Sequence, residues 1–154
     1  MMRVALIASL VAYSVVVSQP LAYLVFMTSA QRALSAAAYI ELRQRINAVM
    51  TRRLGAIYVI TLLATVVLLV LSLLARNWTV LASATLALLC LVVDVVFMLR
   101  ENVPINTVID RWSTANYPAD WQDYRAKWFA IFAYRQVVLL AGYIGLLIGA
   151  VFQS

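Results

Sequence analysis

Residues 54–99, LGAIYVITLLATVVLLVLSLLARNWTVLASATLALLCLVVDVVFML, read as two membrane-length helices joined by a tight turn. Leu54–Ala75 carries no charge, and Trp78–Leu99 carries one, Asp94. Each run is close to the ~20 residues that an α-helix needs to cross a ~30 Å hydrocarbon layer. Only two or three residues around Arg76-Asn77 join them, so the two helices must be antiparallel neighbours. Trp78 stands where an interfacial aromatic anchor belongs.

Two further apolar runs flank this hairpin, Val4–Met27 and Tyr134–Phe152. The composition agrees: the 154 residues are 66% hydrophobic and 12% charged, with a mean hydropathy of +0.95, whereas soluble domains carry about 25% charged residues. The expected fold is all-α: one integral membrane domain over residues 1–154, an antiparallel four-helix bundle with amphipathic loop helices. Its first partner is the lipid bilayer.

Several chemistries are excluded by residue type. Cys90 is the only cysteine, so neither an intrachain disulfide nor a CxxC thiol oxidoreductase is available. Histidine is absent, which removes the commonest metal ligand and general base; no metal and no cofactor is expected. The net charge of +6 sits in short connections between apolar runs rather than on a solvated basic face, so no nucleic acid is expected. Asn77-Trp78-Thr79 spells a glycosylation sequon, but in a tight hairpin against the membrane.

Basic residues orient the chain. The connection Thr28–Arg53 holds Arg32, Arg43, Arg45, Arg52 and Arg53; Arg100–Ala133 holds Arg100, Arg111, Arg125 and Lys127. The other side has only Arg3 and Arg76. This asymmetry places both long loops in the cytoplasm and both termini outside, in a bacterial inner membrane. A competing reading of Met1–Ser18 as a cleaved signal peptide rests on a single charged leader residue and lacks a good cleavage site.

Polar residues inside the apolar runs are the functional candidates. A lone charge at mid-membrane costs on the order of 3 kcal/mol, so such residues face the bundle interior and pair. Asp94 lies five residues before Leu99, and Arg135 lies near the start of the last run. The third run exits and the fourth enters on the same side, so the two can meet on facing helices. Gln19 belongs to the same end, beside Pro20, which should kink the first helix. This set reads either as an ion pair fixing helix register or as the polar floor of a ligand pocket.

The connections add to that end. Tyr39, Leu42, Ile46 and Val49 form a helical stripe between Ser35 and Met50, a helix lying on the membrane or capping the bundle. Asn102-Val103-Pro104-Ile105-Asn106 places two amides around a proline at the boundary; such amides also cap helix ends. Trp112 follows, and Asn116-Tyr117-Pro118 can start a helix. From there Trp121, Tyr124 or Arg125, Trp128, Phe132 and Arg135 recur at helical spacing, as a pocket lining for a planar ligand or as an interfacial belt. Gly142, Gly145 and Gly149 offer a close-packing helix face.

Taken together, Gln19-Pro20, the Tyr39–Asn47 segment, Asn102-Val-Pro-Ile-Asn106, Asp120-Trp121, Trp128 and Arg135 resemble a family of small four-helix membrane proteins of largely unknown function that includes the fungal anthrone oxygenases. The resemblance runs over most of the chain. It implies cofactor-independent conversion of an anthrone to an anthraquinone, with Asn102, Asn106, Trp128 and Arg135 as the catalytic positions. Many relatives carry a histidine shortly before the arginine; Phe132-Ala133-Tyr134 stands there in this chain, leaving Asp94 or an amide network as the base.

Two functions follow as expectations. One is a pocket for a hydrophobic small molecule, with Gln19, Asp94, Trp112 and Trp121 as ligand contacts and oxygenase-type chemistry. The other is an accessory subunit of a homo-oligomer or larger membrane complex, using the glycine face and the first-loop helix as contact surfaces. A transporter is less favoured, because four spans offer no inverted repeat.

Overall fold

The structure, a computed structural model, describes residues 1–152, and the side chains of residues 19, 20, 51 and 52 lie outside that description. Helix α1 (Met2–Ala22) continues through one π turn (Tyr23–Met27) into the short α2 (Thr28–Arg32). Then come α3 (Ala36–Leu74) and α4 (Trp78–Phe97), a second π turn (Met98–Asn102), α5 (Val103–Asp110) and α6 (Trp121–Val151). Both π turns lie within a turn of a proline, Pro20 or Pro104, whose missing N–H interrupts the regular ladder.

Four of the helical stretches are long and apolar enough to cross a membrane: Met2–Arg32, Arg53–Leu74, Trp78–Asp110 and Trp121–Val151. In a ring, α1 packs against α3 and α6, and α4 against α3 and α6. On α4 the buried stripe is Val80, Ala84, Ala87, Leu91 and Asp94, spaced at three and four residues. Asp94 thus faces inward because it continues the apolar stripe. Val59, Leu63, Val67, Val137 and Ile144 are among the many large apolar side chains left exposed.

The turn after α3 shows how the hairpin closes. Arg76 adopts a left-handed φ of 53°, and the Asn77 N–H donates to the Ser72 carbonyl at 3.0 Å. The Asn77 side chain then accepts from the Val80 N–H at 3.0 Å, capping α4.

Three expectations are corrected. The loop helices are not separate elements: the first runs unbroken into the second apolar run as the 39-residue α3, and the second runs into the last as α6, which starts at Trp121 rather than at Pro118. A change from polar to apolar surface is no helix breaker, and Gly55, the one glycine within α3, is tolerated. The buried stripe of α3's first turns is Ala36, Tyr39, Ile40 and Arg43, whereas Val49 is exposed. The glycine face is occupied within the chain. An added methyl at Gly145 would sit 2.9 Å from Leu86 Cδ2, and one at Gly149 2.6 Å from Ser83 Cβ, both on α4.

Candidate functional site

At the end of the ring where α5 lies, two polar nodes stand one above the other. The inner node joins α3, α4, α6 and the second π turn. Arg135 Nε donates to Asp94 Oδ1 at 2.8 Å, and Arg135 Nη2 donates to Asp94 Oδ2 at 3.1 Å. The Tyr58 hydroxyl donates to Asp94 Oδ2 at 2.6 Å and accepts from Arg135 Nη2 at 3.2 Å. Arg135 Nη1 donates to Asn102 Oδ1 at 2.8 Å. Asp94 is fully buried and both its oxygens are engaged. A two-point arginine–carboxylate pair with further hydrogen bonds is how a low-dielectric interior tolerates charge.

The outer node is built around Arg43 on α3, 2% exposed. Arg43 Nη2 donates to Asn106 Oδ1 at 2.8 Å and to Asn47 Oδ1 at 3.2 Å; Nη1 donates to the Tyr23 hydroxyl at 3.4 Å. That hydroxyl in turn donates to Gln31 Oε1. The guanidinium carbon lies 3.9 Å from the centre of the Trp128 ring, a cation–π contact. Trp128 Nε1 donates to the same Asn106 Oδ1 at 3.0 Å. Trp128 stacks on Phe132 with centroids 4.7 Å apart, and Tyr23 lies against both rings at 5.5 and 5.1 Å.

What the outer node lacks is a counter-charge. Among the described residues the ion pairs are Arg45–Glu41, Lys127–Glu101 and Arg135–Asp94, none of which involves Arg43. Asp110 reaches it only through Asn47, whose Nδ2 donates to Asp110 Oδ1 at 2.9 Å. Arg43 Nε, Gln31 Nε2, the Tyr39 hydroxyl and Asn102 Nδ2 are also buried without a partner. All four can donate. Buried polar atoms are nearly always satisfied, so these four donors call for an acceptor; the fifth unpartnered buried atom, Gln136 Oε1, is itself an acceptor, on an amide whose Nε2 donates to the Val17 carbonyl.

The sequence-derived residues divide accordingly. Asp94, Asn102 and Arg135 meet in the inner node; Asn106 and Trp128 belong to the outer one. The Gln19 side chain lies outside the described residues. Trp121 packs with Tyr39 at 6.0 Å and under the Arg125 guanidinium at 4.5 Å. Trp112 meets Tyr124 edge-on at 5.2 Å, and its carbonyl accepts from Gln44 Nε2 at 2.8 Å. Both tryptophans thus pin the connections rather than line either node. Arg43, Tyr23, Gln31 and Tyr58 complete the two nodes and are not among the sequence-derived residues. Arg43 had a signal, since it follows Tyr39 by four residues and shares its helix face.

Two open grooves flank this end. One, about 510 Å³, is lined by Gln44, Asn47, Ala48 and Asp110 and reaches the outer node at Asn47. The other, about 480 Å³, lies between the π turn and α2 on one side and α6 on the other. Neither touches Asp94, Asn102 or Arg135. Among the described residues no three His, Cys, Asp or Glu side chains are grouped to hold a metal. No protein family, curated protein or solved structure matches this chain.

Proposed function

We propose that the chain is an integral membrane protein of four antiparallel spans that binds a hydrophobic, planar small molecule through an anionic oxygen at the outer node. The observation that carries this is Arg43, a buried cation on a tryptophan face with neutral partners and an unsatisfied Nε. An enolate or phenolate oxygen supplies the missing acceptor and charge, and Tyr23, Trp128 and Phe132 supply aromatic contacts. The belt of exposed apolar side chains supports insertion. The basic residues of the two long connections support a cytoplasmic location for this end.

The chemistry that suits such a site is the one the family resemblance implies. Burial of an enolate beside Arg43 favours loss of the ring C–H proton to solvent. The carbanion then reduces oxygen, a hydroperoxide forms at that carbon, and loss of water leaves a carbonyl. The sum is CH2 + O2 → C=O + H2O, with no electrons needed from a cofactor. Asn106 and Trp128 hold Arg43 in place for the enolate. Asp94 and Arg135 hold the helices beneath it.

The accessory-subunit reading keeps the exposed apolar faces as contact surfaces for another copy or another membrane protein, but no longer the glycine face. To separate the two, purified protein is titrated with an anthrone while tryptophan fluorescence and oxygen uptake are followed. Quenching that Arg43→Gln weakens tenfold or more supports the site, and wild-type oxygen uptake that the same Arg43→Gln variant loses while remaining folded supports the reaction. Wild-type protein showing neither quenching nor uptake would leave the accessory role standing.

A further inference from the structure

We infer that the 480 Å³ groove between α1–α2 and α6 is a site for one anionic phospholipid. It is distinct from the outer node. Ala126, Phe129, Ala130 and Ala133 line it, and by helical spacing they face well away from Trp128, Phe132 and Arg135.

The groove has a polar and an apolar end. Leu24, Ala130 and Ala133 form the apolar one; Arg32, Asp123 and Arg125 form the other. With 31 residues, α6 is about 46 Å long. That exceeds a ~30 Å hydrocarbon layer and matches the ~40–45 Å measured across the headgroups. On the membrane-spanning reading, the first turns of α6 therefore stand at headgroup depth, and Ala130 and Ala133 at the start of the hydrocarbon. An acyl chain fits the alanine-lined end, where small side chains leave room.

Charge selects the headgroup. Arg32 lies with its guanidinium 5.6 Å from the Phe129 ring centre and forms no ion pair among the described residues. Arg125 is held in place because its Nη1 donates to the carbonyls of Gln31, Arg32 and Leu34; its Nη2 has no acceptor among the described residues. Against these two cations stands Asp123, so the lining carries one net positive charge. A phosphodiester headgroup with a single net negative charge, such as phosphatidylglycerol, balances that charge, whereas a zwitterionic one leaves it unmatched.

The test uses the full chain in detergent, with retained lipid counted by native mass spectrometry after exposure to phosphatidylglycerol, phosphatidylcholine or free glycerol phosphate. Phosphatidylglycerol should be retained in preference to the other two. Arg32→Gln should lower its retention about fivefold, the factor one basic side chain contributes near an anionic surface. Asp123→Asn should raise it, and Ala130→Phe, which fills the groove and leaves both arginines, should abolish it. Equal retention of the two lipids, equal binding of glycerol phosphate, or undiminished retention by Arg32→Gln would overturn the site. Carbonate extraction of membranes separates the two failures: release of the protein would sink the spanning reading itself, whereas embedded protein without lipid preference sinks only this inference.

Discussion

Asn102 and Asn106, one helical turn apart, each accept a hydrogen bond from a different buried arginine: Arg135 Nη1 at 2.8 Å on the first and Arg43 Nη2 at 2.8 Å on the second. The second π turn and α5 thus serve as a bridge between a cation that has its carboxylate and a cation that has none.

That difference is testable at Asn106. Replacing it by alanine removes the shared acceptor of Arg43 and Trp128 and should cost about 1.5–3 kcal/mol, as for hydrogen bonds to charged groups. Asn106→Asp should behave oppositely in two assays. By giving Arg43 a counter-ion it should raise the denaturation midpoint, and by filling the anion's place it should abolish binding of an enolate ligand. A carboxylate variant that binds as well as wild type would mean that Arg43 is not the anchor.

For the inner node the expected signature is non-additivity. Asp94→Asn or Arg135→Gln alone leaves one buried charge and should destabilise by about 3–5 kcal/mol. Asp94→Leu combined with Arg135→Met removes both charges and should recover most of that loss. Unfolding in a graded denaturant series checks it; a double variant as unstable as the sum of the singles would make the node something other than a buried pair.

Two glycines should respond with opposite signs. A methyl at Gly142 runs into the Tyr13 hydroxyl and sits 2.9 Å from Cys90 Cβ, so Gly142→Ala should destabilise by roughly 1–3 kcal/mol. Gly55 in α3 has nothing within 4 Å of the added methyl, so Gly55→Ala should stabilise by up to about 1 kcal/mol. Melting temperatures of the two variants decide this.

Alkaline stability should depend on Tyr39. Burial pushes its hydroxyl up from the ordinary 10.0 to about 12; Arg43 and Arg125 pull it back and Tyr23 adds to the rise. Between those values the folded state keeps a proton that the unfolded chain has released. The contribution is therefore fully present below pH 10 and lost as pH rises towards 12. Tyr39→Phe should flatten that part of the stability–pH curve at little cost near neutrality, since the hydroxyl has no partner to lose.

The four apolar helices were legible in the sequence, because a twenty-residue run and its lack of charge are local properties. That Asp94 and Arg135 can meet was also legible, because an unpaired charge in an apolar helix is costly and both lie at the same end of facing runs; the packed helices show that they do. That Trp121, Trp128, Phe132 and Arg135 share a helix face was legible from periodicity, but whether that face lines a pocket or forms an interfacial belt was not. What those faces meet is set by packing between segments far apart in the chain. Arg43 shares a helix face with Tyr39 in sequence, but nothing there shows what that face meets; it becomes a buried cation because α3 runs on without a break and turns that face towards Asn106, 63 positions away. The glycines of α6 were equally ambiguous until Leu86 and Ser83 of α4 filled the space they leave. Contacts between distant segments carry no periodic signature, so the outer node, the lipid groove and the role of each glycine had to come from the packed helices.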